Sequence, residues 1–225
     1  MPGTEYEESL RDLQDDVLYM SELVMERIRK GLNALERKDR QLAREIIDAD
    51  DEINQLYLDI EGDCIDLLRL HEPIAGDFRL VAASYKIITD LERIADLAVN
   101  LGEHTLDADK DVFPEVDVQE IGDLALSMIE DAMTAYDEES IDACYEVAEQ
   151  DDELDELCER ASALVVRDLI ETELEANSDE EVEQLLQDVS RLLLTVRDLE
   201  RVGDHAVNIA ARTLYMIEND DELIY

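Results

Sequence analysis

Apolar residues recur at intervals of three and four along most of the chain, and no stretch shows the strict alternation of a half-buried strand. The pattern predicts six long helices, at 5–37, 40–71, 76–106, 117–137, 140–175 and 179–217. Their ends carry suitable chemistry. Thr4 with Glu7, and Ser178 with Glu181, have the spacing of a capping box. Asp39 and Ser140 stand where a side-chain oxygen would cap the first free amides of a helix. The clear breaks, HEPIAGDF (71–78) and VFPEVD (112–117), each hold a proline. No Gly/Ser-rich linker divides the chain, so its parts are expected to pack closely. The fold class is all-α.

The pattern also repeats. DLERIADLAVN (90–100) returns as DLERVGDHAVN (198–208), 108 residues later, with eight positions identical. Upstream, ADDEI (49–53) matches QDDEL (150–154) at an offset of 101, which Ala34/Ala135, Ile46/Val147 and Asp50/Asp151 keep. The second half therefore carries seven extra residues between its second and third helices, placed around EANSDEE (175–181). Seven residues are about two helical turns, so a helical insertion preserves the facing. The chain reads as two tandem three-helix bundles related by internal duplication, 1–110 and 111–225. A core position needs only an apolar side chain of suitable size. Repeated polar identities need a chemical reason.

Charge narrows the classes. The chain holds 62 acidic residues against 19 Lys and Arg, a net charge of −43, yet 46% of its residues are apolar. Such a surface repels itself at low salt. At molar salt the Debye length falls to about 3 Å and the repulsion is screened. The composition reads as adaptation to a high-salt, halophile-like cytoplasm. The acids are spread among periodic apolar residues, which argues against a disordered acidic tail. No basic stripe is present to displace counterions, so direct nucleic-acid binding is not expected. Cys64, Cys144 and Cys158 sit on apolar faces and are expected as buried thiols. No signal peptide or run of 18 apolar residues appears, and the expected location is the cytoplasm.

The repeated phrase places acids beside apolar residues. At 100° per residue, Glu92 and Asp96 lie about 40° apart, with Val81, Ile88 and Val99 near them on the wheel. Glu200 and Asp204 share a face with Val189, Val196 and Val207. Asp50 and Asn54 sit with Ile46, Ile53 and Tyr57, and Asp151 and Asp155 with Val147, Leu154 and Cys158. Carboxylates so placed are costly unless paired or bound to a cation. Two compensations are open. Arg93, Arg197 or Arg201 can pair with them. Alternatively they hold metal, since oxygen-only ligands suit Mg, Mn, Ca or Fe. The His and Cys spacings of structural zinc are absent, as is the Glu-x-x-His signature of di-iron bundles. No nucleophile motif, phosphate-cradling Gly loop or HExxH supports an enzyme. Glu138, Glu139 and residues 179–181 read as a solvated face.

KIITDLERIADLAVNL (86–101) and its second copy resemble the signature of the PhoU family, regulators of phosphate uptake. PIAGDFRLV (73–81) resembles the turn that opens that family's third helix, with Phe78 in place of the usual Leu, and LAREIIDADDEINQL (42–56) resembles its second helix. The resemblance implies two tandem three-helix bundles and a regulator rather than an enzyme. It implies metal ions, iron or zinc favoured and multinuclear clusters included, with Mg, Mn or Ca also compatible. The motif ligands are then Glu92, Asp96, Glu200 and Asp204, joined by Asp50, Asn54, Asp151 and Asp155. Asn54 stands where the second copy has Asp155, implying a first site with fewer or weaker ions. The implied role is repression of the phosphate-starvation response by association with the phosphate ABC transporter, at its ATPase subunit, and with a sensor kinase. Contact with the membrane would come only through such partners, and a homodimer is compatible with the resemblance. His205 has Leu97 as its counterpart and reads as a surface or packing residue. The rival readings are a metal-free helical scaffold with Arg-paired acids and a carboxylate-bridged metalloenzyme.

Overall fold

The computed structural model describes residues 2–70, 74–107, 116–173, 178–220 and 222–224, without the side chains of 2–4, 50, 172, 173 and 179. Among these residues are seven helices: α1 (Pro2–Arg37), α2 (Arg40–Asp48), α3 (Asp50–Leu70), α4 (Ala75–Asp107), α5 (Val118–Glu138), α6 (Ile141–Glu173) and α7 (Asp179–Glu218). The caps act where the sequence puts them. The Asp39 carboxylate accepts from the Gln41 and Leu42 amides, each at 3.0 Å. Ser178 accepts from the Glu181 amide at 3.2 Å, and Ser140 from the Ala143 amide at 3.4 Å. The capping box at Thr4 is not what starts α1, which already begins at Pro2, and the Thr4 side chain lies outside the described residues. Lys38 and Glu139 both end their helix–turn in the left-handed region at φ 51°, and they are 101 residues apart. The duplication thus extends to backbone conformation.

The second predicted helix, 40–71, is not continuous. It breaks at Ala49 (φ −90°, ψ 5°) into α2 and α3. Arg27 on α1 explains the break. Its side chain is buried, and it donates to the Ala49 carbonyl, which also accepts from the Glu52 amide at 3.3 Å, and, at 3.4 Å, to the Glu52 carboxylate. A buried guanidinium needs acceptors, and the kink supplies one. At the equivalent place in the second repeat stands buried Met128, and α6 runs through unbroken. Arg27→Met is therefore expected to straighten the α2–α3 junction. The Ala49 carbonyl keeps the Glu52 amide, so losing the Arg27 hydrogen bonds costs about 0.5–1.5 kcal/mol, and less if the helix closes. Denaturant unfolding together with helical circular dichroism measures both. Unchanged stability and unchanged helicity would show that Arg27 does not hold the kink.

The extra residues of the second half lengthen its helices. α6 ends at Glu173, two residues past the equivalent of Leu70, and α7 begins four residues before the equivalent of Ala75. Residues 174–177, at the centre of the expected insertion, lie outside the described set, as do residues 71–73 and 112–115 of the proline-bearing breaks.

Within each repeat the third helix packs on the other elements, α4 on α1, α2 and α3, and α7 on α5 and α6. Between repeats α4 lies on α7 and α1 on α5. One core cluster includes buried residues of both halves, such as Ile28, Ile94, Met128 and Leu199. The α1–α5 approach depends on Gly122. A Cβ there would stand 2.4 Å from Leu32 Cδ2, and one turn back Gln119 Nε2 donates to the Leu32 carbonyl at 3.0 Å.

Candidate functional site

The second repeat gathers its acids most tightly. α6 carries Asp151 and Asp155 one turn apart, and α7 carries Glu200 and Asp204 with the same spacing. Gly203 lets the two helices meet closely here. A Cβ on it would lie 2.3 Å from Leu154 Cδ2 and 3.5 Å from Asp151 Oδ1. That oxygen is fully buried and has no hydrogen-bond partner among the described residues. Burial is the main force on the Asp151 carboxyl, followed by the charges of Asp155, Asp204, Asp152 and Glu200, and together they push its pKa up to about 6. Burial and then Asp204 and Asp152 raise Asp155. Glu200 is raised by burial, Asp155 and Asp204, against a smaller lowering by Arg197. The acids therefore act on one another more than any arginine acts on them. Buried Cys158 feels the same field. Its thiol rises to about 12, through burial first and then Glu200 and Asp155.

The placement corrects the wheel in one respect. Asp155, Asp204 and Asp96 are exposed, while Asp151, Glu200, Glu92 and Asn54 are half-buried. The acids line the edge of each apolar stripe instead of being embedded in it, because the neighbouring helix meets the stripe and leaves its flank open. In the first repeat the side chain of Asp50 lies outside the described residues. Asp50 there opens α3 directly after the break at Ala49, whereas Asp151 sits inside a continuous helix. The two halves are thus duplicated but unequal.

An arrangement of like charges with an orphaned, buried oxygen suits a cation. Oxygen-only donors favour hard or intermediate ions, and Asp151 Oδ1 has a lone-pair demand that the protein leaves unmet. Among the described residues no three carboxylate, imidazole or thiol groups converge closely enough to hold one ion in this conformation. Carboxylates without a counter-charge stand apart.

A second polar arrangement lies behind the first. Asp90 and Asp198, the opening acids of the repeated phrase, are 8% and 5% exposed. They are two residues from Glu92 and Glu200, hence about 160° around the helix, on the side facing the other repeat. His205 Nδ1 stands 2.9 Å from Asp90 Oδ1, and His104 Nε2 stands 3.0 Å from Asp198 Oδ2. Asn208 Nδ2 donates to Asp90 at 3.4 Å, and Arg201 lies 3.8 Å from Asp198. Each half thus offers an acid to a histidine of the other, across the α4–α7 contact. His205 is a buried partner of Asp90, not a surface or purely packing residue. The available signal was a repeated acid on the face opposite the motif, in a chain with only three histidines.

The comparisons agree with this architecture. The profile of the PhoU domain matches residues 17–105 and 118–213. A phosphate-specific transport system accessory protein PhoU homolog of Clostridium acetobutylicum is 33% identical over 215 residues, covering 94% of each chain. PhoU homolog 1 of Thermotoga maritima is 31% identical, over 94% of this chain and 88% of its own. The crystal structure of PhoU from Pseudomonas aeruginosa superposes with a TM-score of 0.84 at 28% identity, covering 96% of this chain and all of that one. Two profile matches that divide the chain as its helices do, with relatives spanning nearly its full length, show that this chain belongs to the PhoU family.

Proposed function

We propose that the chain restrains phosphate uptake as an accessory protein of a phosphate-specific transport system, docking on the transporter's ATPase subunit and on a sensor kinase. The names of its relatives, accessory and regulatory proteins of phosphate transport, support that role and a non-enzymatic one. No helix among the described residues is long and apolar enough to cross a membrane, which fits contact with the membrane only through partners. In this reading each repeat, 1–110 and 111–225, holds one cation site. Asp151, Asp155, Glu200 and Asp204 form the stronger, and Asp50, Asn54, Glu92 and Asp96 the weaker. A bound cation supplies the positive charge these oxygens lack. The protein's part is to hold Asp151 against α7 through the gap at Gly203, so that closing the four acids inward also clamps α6 on α7.

The buried, unpartnered Asp151 oxygen within an acidic surround carries the metal reading. Iron or zinc is favoured, in an assembly of more than one ion. Protein purified without chelator is expected to contain metal, and added metal to raise its melting temperature at constant ionic strength. Asp204→Asn should remove more of both effects than Asp96→Asn. Protein free of Fe, Zn, Mn, Mg and Ca whose melting ignores all five would overturn the sites. Failure to bind the ATPase subunit at molar salt, where the net charge of −43 is screened, would overturn the partner.

A further inference from the structure

The two helix turns that the duplication makes equivalent carry opposite charge. Residues 27–44 hold seven of the chain's 19 Lys and Arg and only two acids. Their counterparts at the offset of 101, residues 128–145, hold six acids and no base. The sign inverts position by position at Arg29/Glu130, Lys30/Asp131, Arg37/Glu138 and Lys38/Glu139. The backbone does not demand either sign. Lys38 and Glu139 take the same left-handed conformation, and each turn leads into a helix capped by its own side chain. Nor does composition explain a basic turn, in a chain with 62 acids.

Neither turn is neutralised from within. Arg27 engages Glu52, and Lys30 engages Glu26 at 2.7 Å. Arg37, Arg40 and Arg44 are exposed and have no carboxylate partner among the described residues. Asp137, Glu138 and Asp142 are exposed and have no basic partner among them. Arg29 stands 3.9 Å from Glu130, its own equivalent, so the axis that relates the two repeats passes between them. The helices run antiparallel there, since Gln119 bonds Leu32 while Glu130 lies against Arg29. The basic α1–α2 turn therefore stands beyond one end of the α1–α5 pair, and the acidic α5–α6 turn beyond the other.

Charges placed in this way are complementary to themselves. A two-fold axis perpendicular to the repeat axis sets the basic turn of one chain on the acidic turn of another, and symmetry makes the same contact a second time. We propose that the chain pairs with a second copy of itself through the α1–α2 and α5–α6 turns. Guanidinium groups suit this contact because they take a carboxylate with two parallel hydrogen bonds. Single exposed pairs are weak, and the duplication supplies two sets. The net charge of −43 opposes pairing at low salt. At molar salt the Debye length is about 3 Å, so distant acids no longer repel while touching groups still attract. Nucleic acid does not fit the same turn. Its binding is lost as salt rises, and at low salt the remaining acids repel it. The pairing is independent of the transporter reading.

Sedimentation equilibrium of the full chain tests it. The unaltered chain should be a dimer at molar salt and should dissociate at low salt. Two double variants reverse one turn each, Arg37→Glu with Arg40→Glu, and Asp137→Arg with Glu138→Arg. Each should weaken the dimer about a hundredfold at molar salt, because like charges then meet in both contacts. All four side chains are exposed, so melting at molar salt should not move. Mixing the two variants should restore a dimer with one chain of each, since every contact again joins opposite charges. An unaltered chain that stays monomeric at molar salt would overturn the pairing. Variants that dimerise as well as the unaltered chain, or that stay apart when mixed, would overturn the assigned turns. A monomeric chain that binds the transporter's ATPase subunit, and loses it on Arg37→Glu with Arg40→Glu, would give the basic turn to that partner and overturn the pairing.

Discussion

In chelator, Asp151→Asn should make the protein more stable at pH 7, and should abolish most of the stabilisation that metal confers. The Asp151 carboxyl moves from 3.8 to about 6 on folding, chiefly through burial and then through neighbouring acids. The folded state therefore holds this proton more tightly than the unfolded state. The contribution of this group to metal-free stability is highest below the unfolded value, declines as pH rises from about 4 to 6, and levels off above. The full difference corresponds to about 3 kcal/mol, and solvent screening at this half-exposed group reduces it to about 1–2. Asn keeps the shape without the charge, so it removes the decline. With metal present the order reverses, because the ionised oxygen is what the cation uses. Denaturant unfolding from pH 4 to 8, with chelator and with metal, checks both halves. An Asp151→Asn protein that is less stable in chelator at pH 7, or keeps the same decline between pH 4 and 6, would contradict the origin assigned to the shift.

His205→Leu should cost more than any exposed change. It places in α7 the residue that the first repeat has at Leu97, and leaves Asp90 buried with only Asn208 at 3.4 Å. An acid stripped of its buried partner costs about 3 kcal/mol or more. The mirror change, His104→Leu, should cost less, because Asp198 keeps Arg201 at 3.8 Å. Adding Asp90→Leu to His205→Leu removes the orphaned acid and should recover part of the loss, since an apolar pair of similar volume is tolerated at such sites. A double-mutant cycle by urea unfolding reads the coupling directly. Additive losses within about 0.5 kcal/mol would mean that the two residues do not support one another.

Much of the fold is visible in the residues themselves because it follows from local periodicity. The apolar spacing of 141–173 and 179–218, the caps at Asp39, Ser140 and Ser178, and the recurrence of one phrase all act over a few residues. The break at Ala49 was not visible, since its cause is Arg27, 22 residues away in sequence and on another helix. The site divides in the same way. Helix geometry alone puts Glu200 with Asp204 and Asp151 with Asp155.

What the sequence by itself determined is the all-α class, the duplication and the identity of the acid-bearing faces, since each is a property of helical spacing. Only the tertiary structure decided which acids are buried. Oδ1 of Asp151 loses its water because Gly203 lets α7 close on it, while Asp204, one residue further along, stays exposed. It also separated the acids of the repeated phrase by partner. Asp90 and Asp198 meet the histidines of the opposite repeat, and Glu200 and Asp204 meet other acids. Spacing along one helix sets the direction of a side chain, but burial and charge depend on what a distant segment brings against it.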